Sequence, residues 1–315
     1  MKKPFLSITA IMFCAIAIGQ NGANLRLNLE KNKVYRLHST SEQTILQTVN
    51  GNQQTIESTT SYTVSLKMVD ATPAFIVTEV RFDTLATKTN TMGKTTSMSS
   101  ASEGNIQSKE TSDIISYFMN RMSRNPLYAK LDFTGKVTEI VNSKMVSDMI
   151  LKDTSLITLA DPIASALKTQ VTNMVGDDAF KTMIDMFTYN LPGKMVNTGD
   201  NWSVTTSTNA GGMSLDITTS YKLDGIAGNN ANIVAESNIR ASANAVPMVS
   251  GGATITYDDL KGLSKSTISI DIRTGLVVES DSKTHIAGNL GVTVPGMSMQ
   301  IPMDINSNSK VVSIQ

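Results

Sequence analysis

"LDFTGKVTE" occupies residues 131–139, and "IDIRTGLVVE" occupies residues 270–279. The first places Asp132, Gly135, Val137 and Glu139 in the order in which the second places Asp271, Gly275, Val277 and Glu279. In a tight turn, an aspartate side chain accepts hydrogen bonds from the backbone just after it, and glycine supplies a left-handed residue without steric cost. Alternating apolar residues on both sides build strands. Each phrase is therefore a strand–turn–strand corner, used twice. A calcium loop needs several oxygen ligands, and one carboxylate per turn does not meet that need, so no metal is expected here.

The repetition extends outward in order. "TTSY" occurs at 59–62 and again at 218–221. "IVTEVRF" starts at Ile76 and "IVAESNIRA" at Ile233, and "SK" follows each corner at 143–144 and 282–283. Short matches in a Ser/Thr-rich chain mean little singly, but their shared order indicates an internal duplication. Tyr62 is then expected to superpose on Tyr221, and Gly135 on Gly275.

Strands dominate both halves. After the hairpin signal Asn50-Gly51, Ile56, Tyr62, Val64, Leu66 and Met68 share one parity, while Glu57, Thr59, Ser61, Thr63, Ser65 and Lys67 share the other. This period of two marks a strand with one wet face, and arms of ~15 residues imply a large, twisted sheet. Residues 86–108, rich in Thr, Ser, Gly and Lys, read as a strand pair with a mobile end or as a loop. The period changes to helical at "SDIISYFMNRM", where Ile114, Ile115, Phe118, Met119 and Met122 form a stripe behind an N-cap at Ser112 or Asp113. Three further helices are expected at "SKMVSDMIL", "DPIASALKTQVTNMV" and "DDAFKTMIDMF", with Pro162 just inside the second of them.

The expected fold is α+β and mainly antiparallel: two repeated halves in one large curved sheet, with a central helical segment packed on it. The expected divisions are a leader at 1–19, a first β-rich half at 20–142, a helical connection at 143–190 and a second β-rich half at 191–315. Phe118, Met122, Met149, Met183, Met186 and Phe187 are expected to face the sheet. There they either line a ligand cavity or fill an ordinary core.

Composition limits the function. Lys and Arg number 27, as do Asp and Glu. A nucleic-acid binder needs a basic footprint, so none is expected. The start, "MKKPFLSITAIMFCAIAIGQ", pairs Lys2 and Lys3 with an apolar run, and Ala17 and Gly19 precede a cut before Gln20. That is a secretory leader. Phe13 before Cys14 argues against lipidation, and no later segment is apolar enough to span a membrane. The protein is expected to be exported to the periplasm or cell surface. His38 and His285 are the sole histidines, both in strand-like surroundings, and no nucleophile, phosphate-loop or metalloprotease motif occurs. No enzymatic activity and no cofactor are expected. "DTL" at 83–85 matches a short bacterial O-glycosylation acceptor, with Thr84 as the modified residue.

"NLEKNKVYRLHS", "LDFTGKVTEIVNS" and "MVNTGDNWSV" together resemble the landmarks of an uncharacterised family of exported, β-rich bacterial proteins. The resemblance covers most of the chain after the leader and implies a fold, with no catalytic residues to carry over. Element order has a more distant likeness to periplasmic lipoprotein carriers, whose curved sheet wraps helices over an apolar cavity. Two functions follow as expectations. One is binding or carriage of an apolar, lipid-like ligand in the cell envelope. The other is an envelope interaction module that docks a protein partner.

Overall fold

The computed structural model describes residues 22–49, 51–210, 213–243, 245, 247–250, 253–294 and 296–314. The expected leader at 1–19, with Cys14, lies outside the described residues. The first half comprises β1 (Gly22–Leu25), β2 (Val34–Val49), β3 (Asn52–Ala71), β4 (Ile76–Thr91), β5 (Lys94–Ser99), α1 (Thr111–Arg124), β6 (Leu127–Leu131) and β7 (Val137–Ile140). Helices α2 (Ser143–Leu151), α3 (Ile163–Met174) and α4 (Asp177–Thr188) follow. The second half comprises β8 (Lys194–Asn197), β9 (Asn201–Ala210), β10 (Met213–Ala227), β11 (Asn230–Ala241), β12 (Met248–Ser250), β13 (Ala253–Asp271), β14 (Val277–Val294) and β15 (Met297–Ile314).

One curved 13-stranded antiparallel sheet runs in the order β7-β6-β4-β3-β2-β15-β14-β13-β11-β10-β9, with β5 on β4 and β12 on β13. Its path has two ends, so it is open rather than a barrel. The order shows the duplication directly. Strands 7-6-4-3-2 of one half correspond to 14-13-11-10-9 of the other, and β15 lies between the two sets. Irregularities repeat as well. The β3–β4 ladder slips between Met68 and Asp70, and the β10–β11 ladder between Leu223 and Gly225. The β6–β7 ladder slips at Lys130/Leu131, and the β13–β14 ladder at Ser269/Ile270. Bulges fix local twist and register, so matching bulges mark matching positions.

Those positions correct one expectation. Tyr35 lies opposite Leu66, and Trp202 lies opposite Tyr221. With the bulges aligned, Tyr221 takes the place of Leu66, and Tyr62 lies four residues away. The "TTSY" match misleads because a slip of four leaves the strand's inside–outside alternation intact. The corners do match: Gly135 has φ 86° and Gly275 φ 77°.

Each corner is built by its aspartate. Asp132 Oδ1 accepts hydrogen bonds from the backbone N–H of Thr134 (2.8 Å) and of Lys136 (3.1 Å). Asp271 Oδ1 accepts from Arg273 N–H (2.9 Å), and the Arg273 guanidinium closes on the same carboxylate at 2.7 Å. That guanidinium holds the Asp271 carboxyl below its usual range. The corners are then stapled together by the segment after β1. Leu27 N–H donates to Phe133 O and the next residue, Asn28, donates to Thr274 O, both at 2.9 Å. The corner is repeated because each half ends its meander there, and both ends dock on one short segment. β1 itself pairs with β8, its counterpart in the other half.

The helices cover one face beside these corners. α1 packs on β4 and β5, α2 on β6, and α4 on β7. Ile114, Ile115, Phe118, Met119 and Met122 are buried as the helical stripe requires. They join Leu37, Val64, Leu66, Phe82, Phe180 and Phe187 in one continuous core. α1 starts a turn-step earlier than expected: its N-cap is Glu110, and neither Ser112 nor Asp113 caps it. Pro162 occupies the N-cap of α3 instead of its first turn. Residues 86–108 contain the end of β4 and all of β5, joined by Met92-Gly93, both at positive φ.

Candidate functional site: the concave face of the sheet

On the face opposite the helices, the sheet is hollowed into an open groove of about 1020 Å³. It crosses seven strands, from His38, Thr40 and Glu42 on β2 to Asn201 on β9. Two cross-strand rows line it. One runs Ser220–Glu236–Lys265–Lys283–Asn308–Glu42, and the other Lys222–Val234–Thr267–Asp281–Lys310–Thr40. Each row results from period two, since residues directly opposite in a ladder share a face.

The groove's charges are unevenly paired. Lys265 Nζ lies 3.6 Å from Glu236 and Lys310 Nζ 2.5 Å from Glu279. The hydrogen bond that Lys310 donates to Glu279, aided by the charge of Asp281, holds the Lys310 ammonium above its usual range. Lys222 and Lys283 make no ion pair among the described residues. Lys283 also faces Lys265 directly, and like charges in that position repel. Val234, Ala235 and Val312 add apolar surface, and the aliphatic stems of the lysines extend it.

The other face of the same strands is partly covered. Above the main core lies a belt of cross-strand hydroxyl pairs: Thr219 with Ser237 (2.8 Å), Ser264 with Thr284 (2.8 Å), Ser266 with Ser282 (2.7 Å) and Ser309 with Ser41 (2.8 Å). Beyond it, Leu215, Ile239, Leu260, Ile286, Met303 and Ile305 form a second apolar cluster. The hydroxyls satisfy one another, which is how polar groups on a covered face avoid a desolvation penalty.

The six residues expected to face the sheet divide. Phe118, Met122 and Phe187 are buried in the packed core, at 1%, 3% and 2% exposure. Met183 is half-buried against that core. Met149 and Met186 are 46% and 54% exposed, on the outer sides of α2 and α4. The six therefore do not share one environment, and the groove lies on the other face of the sheet. Thr84 sits mid-strand in β4, half-buried opposite Thr63. His38 contacts Thr63 Oγ1 (3.0 Å) and Thr40 Oγ1 (3.2 Å), and His285 contacts Asp304 (2.7 Å). Among the described residues, no three His, Cys, Asp or Glu gather as a metal site. The groove lysines escaped sequence reasoning because each lies on a different strand, and register alone brings them together.

One buried acid lies at the junction of α4 with the first corner. Asp185 Oδ1 accepts the Val137 N–H at 2.7 Å. Burial pushes its pKa up from 3.8 to about 6, against the opposing pull of that hydrogen bond and of Lys136 and Lys181, while Asp132 adds to the rise. The folded protein therefore holds a proton that the unfolded chain has lost between roughly pH 4 and pH 6. Stability should fall as pH rises through that window and stay low above it. Asp185→Asn keeps an acceptor for Val137 without the buried charge. It should remove this pH dependence and raise stability at pH 7 by about 1–2 kcal/mol, discounted for partial exposure. Urea midpoints at pH 4.5 and 7 check it.

Residues 74–277 match a family of unknown function, DUF6263. The chain belongs to that family. This DUF6263 protein has no match among curated proteins. Among solved structures, one on lipid–protein interactions in lipovitellin is similar at TM-score 0.47 and 8% identity, over 91% of this chain and 26% of that one. The chain thus spans about a quarter of the lipovitellin chain's length. An outer membrane channel from Pseudomonas putida F1 aligns at TM-score 0.25 and 7% identity over 91% of this chain and 97% of the channel. A DUF1329 family protein from Desulfovibrio piger aligns at 0.14 and 9%, over 86% and 83%. These likenesses are weak, and none transfers a property to the DUF6263 chain. No described helix is long and apolar enough to cross a membrane.

Proposed function

We propose that this DUF6263 protein is an exported, non-enzymatic binding protein of the cell envelope whose ligand is an amphiphile seated in the concave groove. One observation carries the reading: a groove of about 1020 Å³ that combines apolar floor, lysine stems and unpaired ammonium groups. Its size reaches the upper end for small-molecule sites. An apolar body would lie against Val234, Val312 and the lysine stems. An acidic head would meet Lys283 and Lys222, relieving the repulsion between Lys283 and Lys265. The leader pattern at 1–19 supports export, and the lack of a nucleophile or metal motif in the sequence supports binding over catalysis.

A second reading, a protein-docking face, is favoured by the groove's mixed charge, since Glu236, Lys265, Lys283 and Glu42 fall in one row. One experiment separates the two. A fluorescent fatty acid is titrated into the wild type and into Lys222→Glu/Lys283→Glu. Saturable binding, weakened on the order of tenfold by the double reversal, is expected, because two exposed charge contacts sum to roughly 1.4 kcal/mol. No saturable binding by the wild type overturns the amphiphile reading. Native mass spectrometry of protein purified from its own envelope then shows whether a polypeptide co-purifies instead.

A further inference from the structure

The two ends of the sheet are built differently. β7 is four residues long, carries α4 against it, and has its Val137 N–H occupied by Asp185. β5, beside it on β4, is short and backed by α1. Among the described residues, no helix packs on β9 to a comparable extent, and at its start Trp202 Nε1 donates to Asn190 O (3.1 Å). The strand pairs with β10 over ten consecutive residues without a bulge, and no described strand pairs with its outer edge. Its sequence, NWSVTTSTNA, contains no charged residue and no proline. Charges, prolines, bulges and short length are the devices that stop an edge strand from pairing with another chain. β9 lacks all four and is rich in residues that favour strands.

The chain also shows what such an edge accepts. By the register of the repeat, Val204 corresponds to Leu37, so the outer edge of β9 corresponds to the edge of β2 that takes β15. That pairing is antiparallel and runs over twelve residues. Half one has its edge filled from within the chain. Among the described residues, half two has the same edge unfilled.

We infer that the protein is a homodimer in which two β9 strands pair antiparallel across a two-fold axis, joining two sheets into one. Self-pairing suits this strand. A charged edge would set like charges opposite each other across the axis, whereas a neutral Ser/Thr edge forms cross-strand hydroxyl pairs. The axis stands perpendicular to the sheet, so both concave faces look the same way. The groove reaches β9 at Asn201, the first residue of the strand, so the two-fold sets the two grooves at opposite ends of the paired strands, on the same side of the joined sheet. The inference is independent of what the groove binds.

Light scattering and native mass spectrometry of the purified full chain test it. The wild type is expected at twice the chain mass. Thr205→Lys and Thr205→Glu, at an exposed position of β9, should each lose the dimer while staying folded, with a cooperative melt whose midpoint no longer depends on protein concentration. Mixing the two variants should restore a dimer, because opposite charges then face each other. Ser203→Lys, two residues along the same face, should reproduce the loss. A wild type that stays monomeric up to high micromolar concentration overturns the inference. So does a dimer that persists in the lysine variants, or a mixture of folded Lys and Glu variants that does not reassociate.

Discussion

Gly135→Ala should lower stability by about 3–5 kcal/mol, a large share of the roughly 5–15 kcal/mol that holds a typical domain folded. Two costs combine. Gly135 sits at φ 86°, and an L side chain in the left-handed region costs about 1–2 kcal/mol. The added Cβ would also overlap the Thr188 carbonyl, a backbone atom that cannot rotate away. Thr188 is also tied to this turn by its side chain, since its Oγ1 donates to Gly135 O at 2.6 Å. Gly275→Ala should behave alike, because its Cβ would strike the Arg26 carbonyl. Gly93→Ala is the control: φ is 78°, but nothing lies near the added Cβ. Its cost should stay near the conformational part alone, about 1–2 kcal/mol. Urea midpoints for the three variants separate turn strain from loss of corner docking. A loss at Gly135 no larger than at Gly93 would show that the corner does not lean on α4.

Phe187→Ala should cost about 3–5 kcal/mol, because it removes a filled aromatic site from a core that has no room to relax. Phe187 is 2% exposed within the main cluster, beside Phe180 and Ile184 on the same helix. Its neighbour in sequence makes the contrast. Met186 is 54% exposed, and Met186→Ala should fall within about 0.5 kcal/mol of the wild type. Denaturant midpoints decide between a packed helix–sheet interface and a hollow one. A small loss at Phe187 would mean that space already exists beneath α4.

The architecture was largely visible in the sequence. The alternation through Tyr62, Val64, Leu66 and Met68 became β3, and the stripe through Ile114, Phe118 and Met122 became α1. "SKMVSDMIL" is α2 residue for residue. These succeed because burial of one face writes a period into the chain. The duplication was visible at its corners, where Asp and Gly are required by geometry. It misled at "TTSY", where Ser and Thr suit either face and no residue distinguishes one even register from another. The exposed methionines show a related limit. Met149 and Met186 are apolar and helical, and composition cannot tell a core Met from one on the outer turn. The groove was least legible of all. Lys222, Lys265, Lys283 and Lys310 lie on four strands spread over almost ninety residues, and only cross-strand register makes them neighbours.

The position of β15 governs the order in which the molecule can be assembled. Synthesis delivers 7-6-4-3-2 early and 14-13-11-10-9 late, and within the large sheet it is β15, Met297–Ile314, that joins them, while β1 and β8 pair outside it. Ser309 must find Ser41, 268 positions away in the chain. Contacts so distant are slow to form, because the chain loses much entropy before any ladder bond compensates. Until Met297–Ile314 leaves the ribosome, β2 waits with its edge bare, offering a nascent chain the same kind of surface that β9 offers the finished one. A chain lacking β15 would leave the edges of β2 and β14 bare, open to pairing with other chains. The join between the two sets of strands thus depends on a strand that neither set contains.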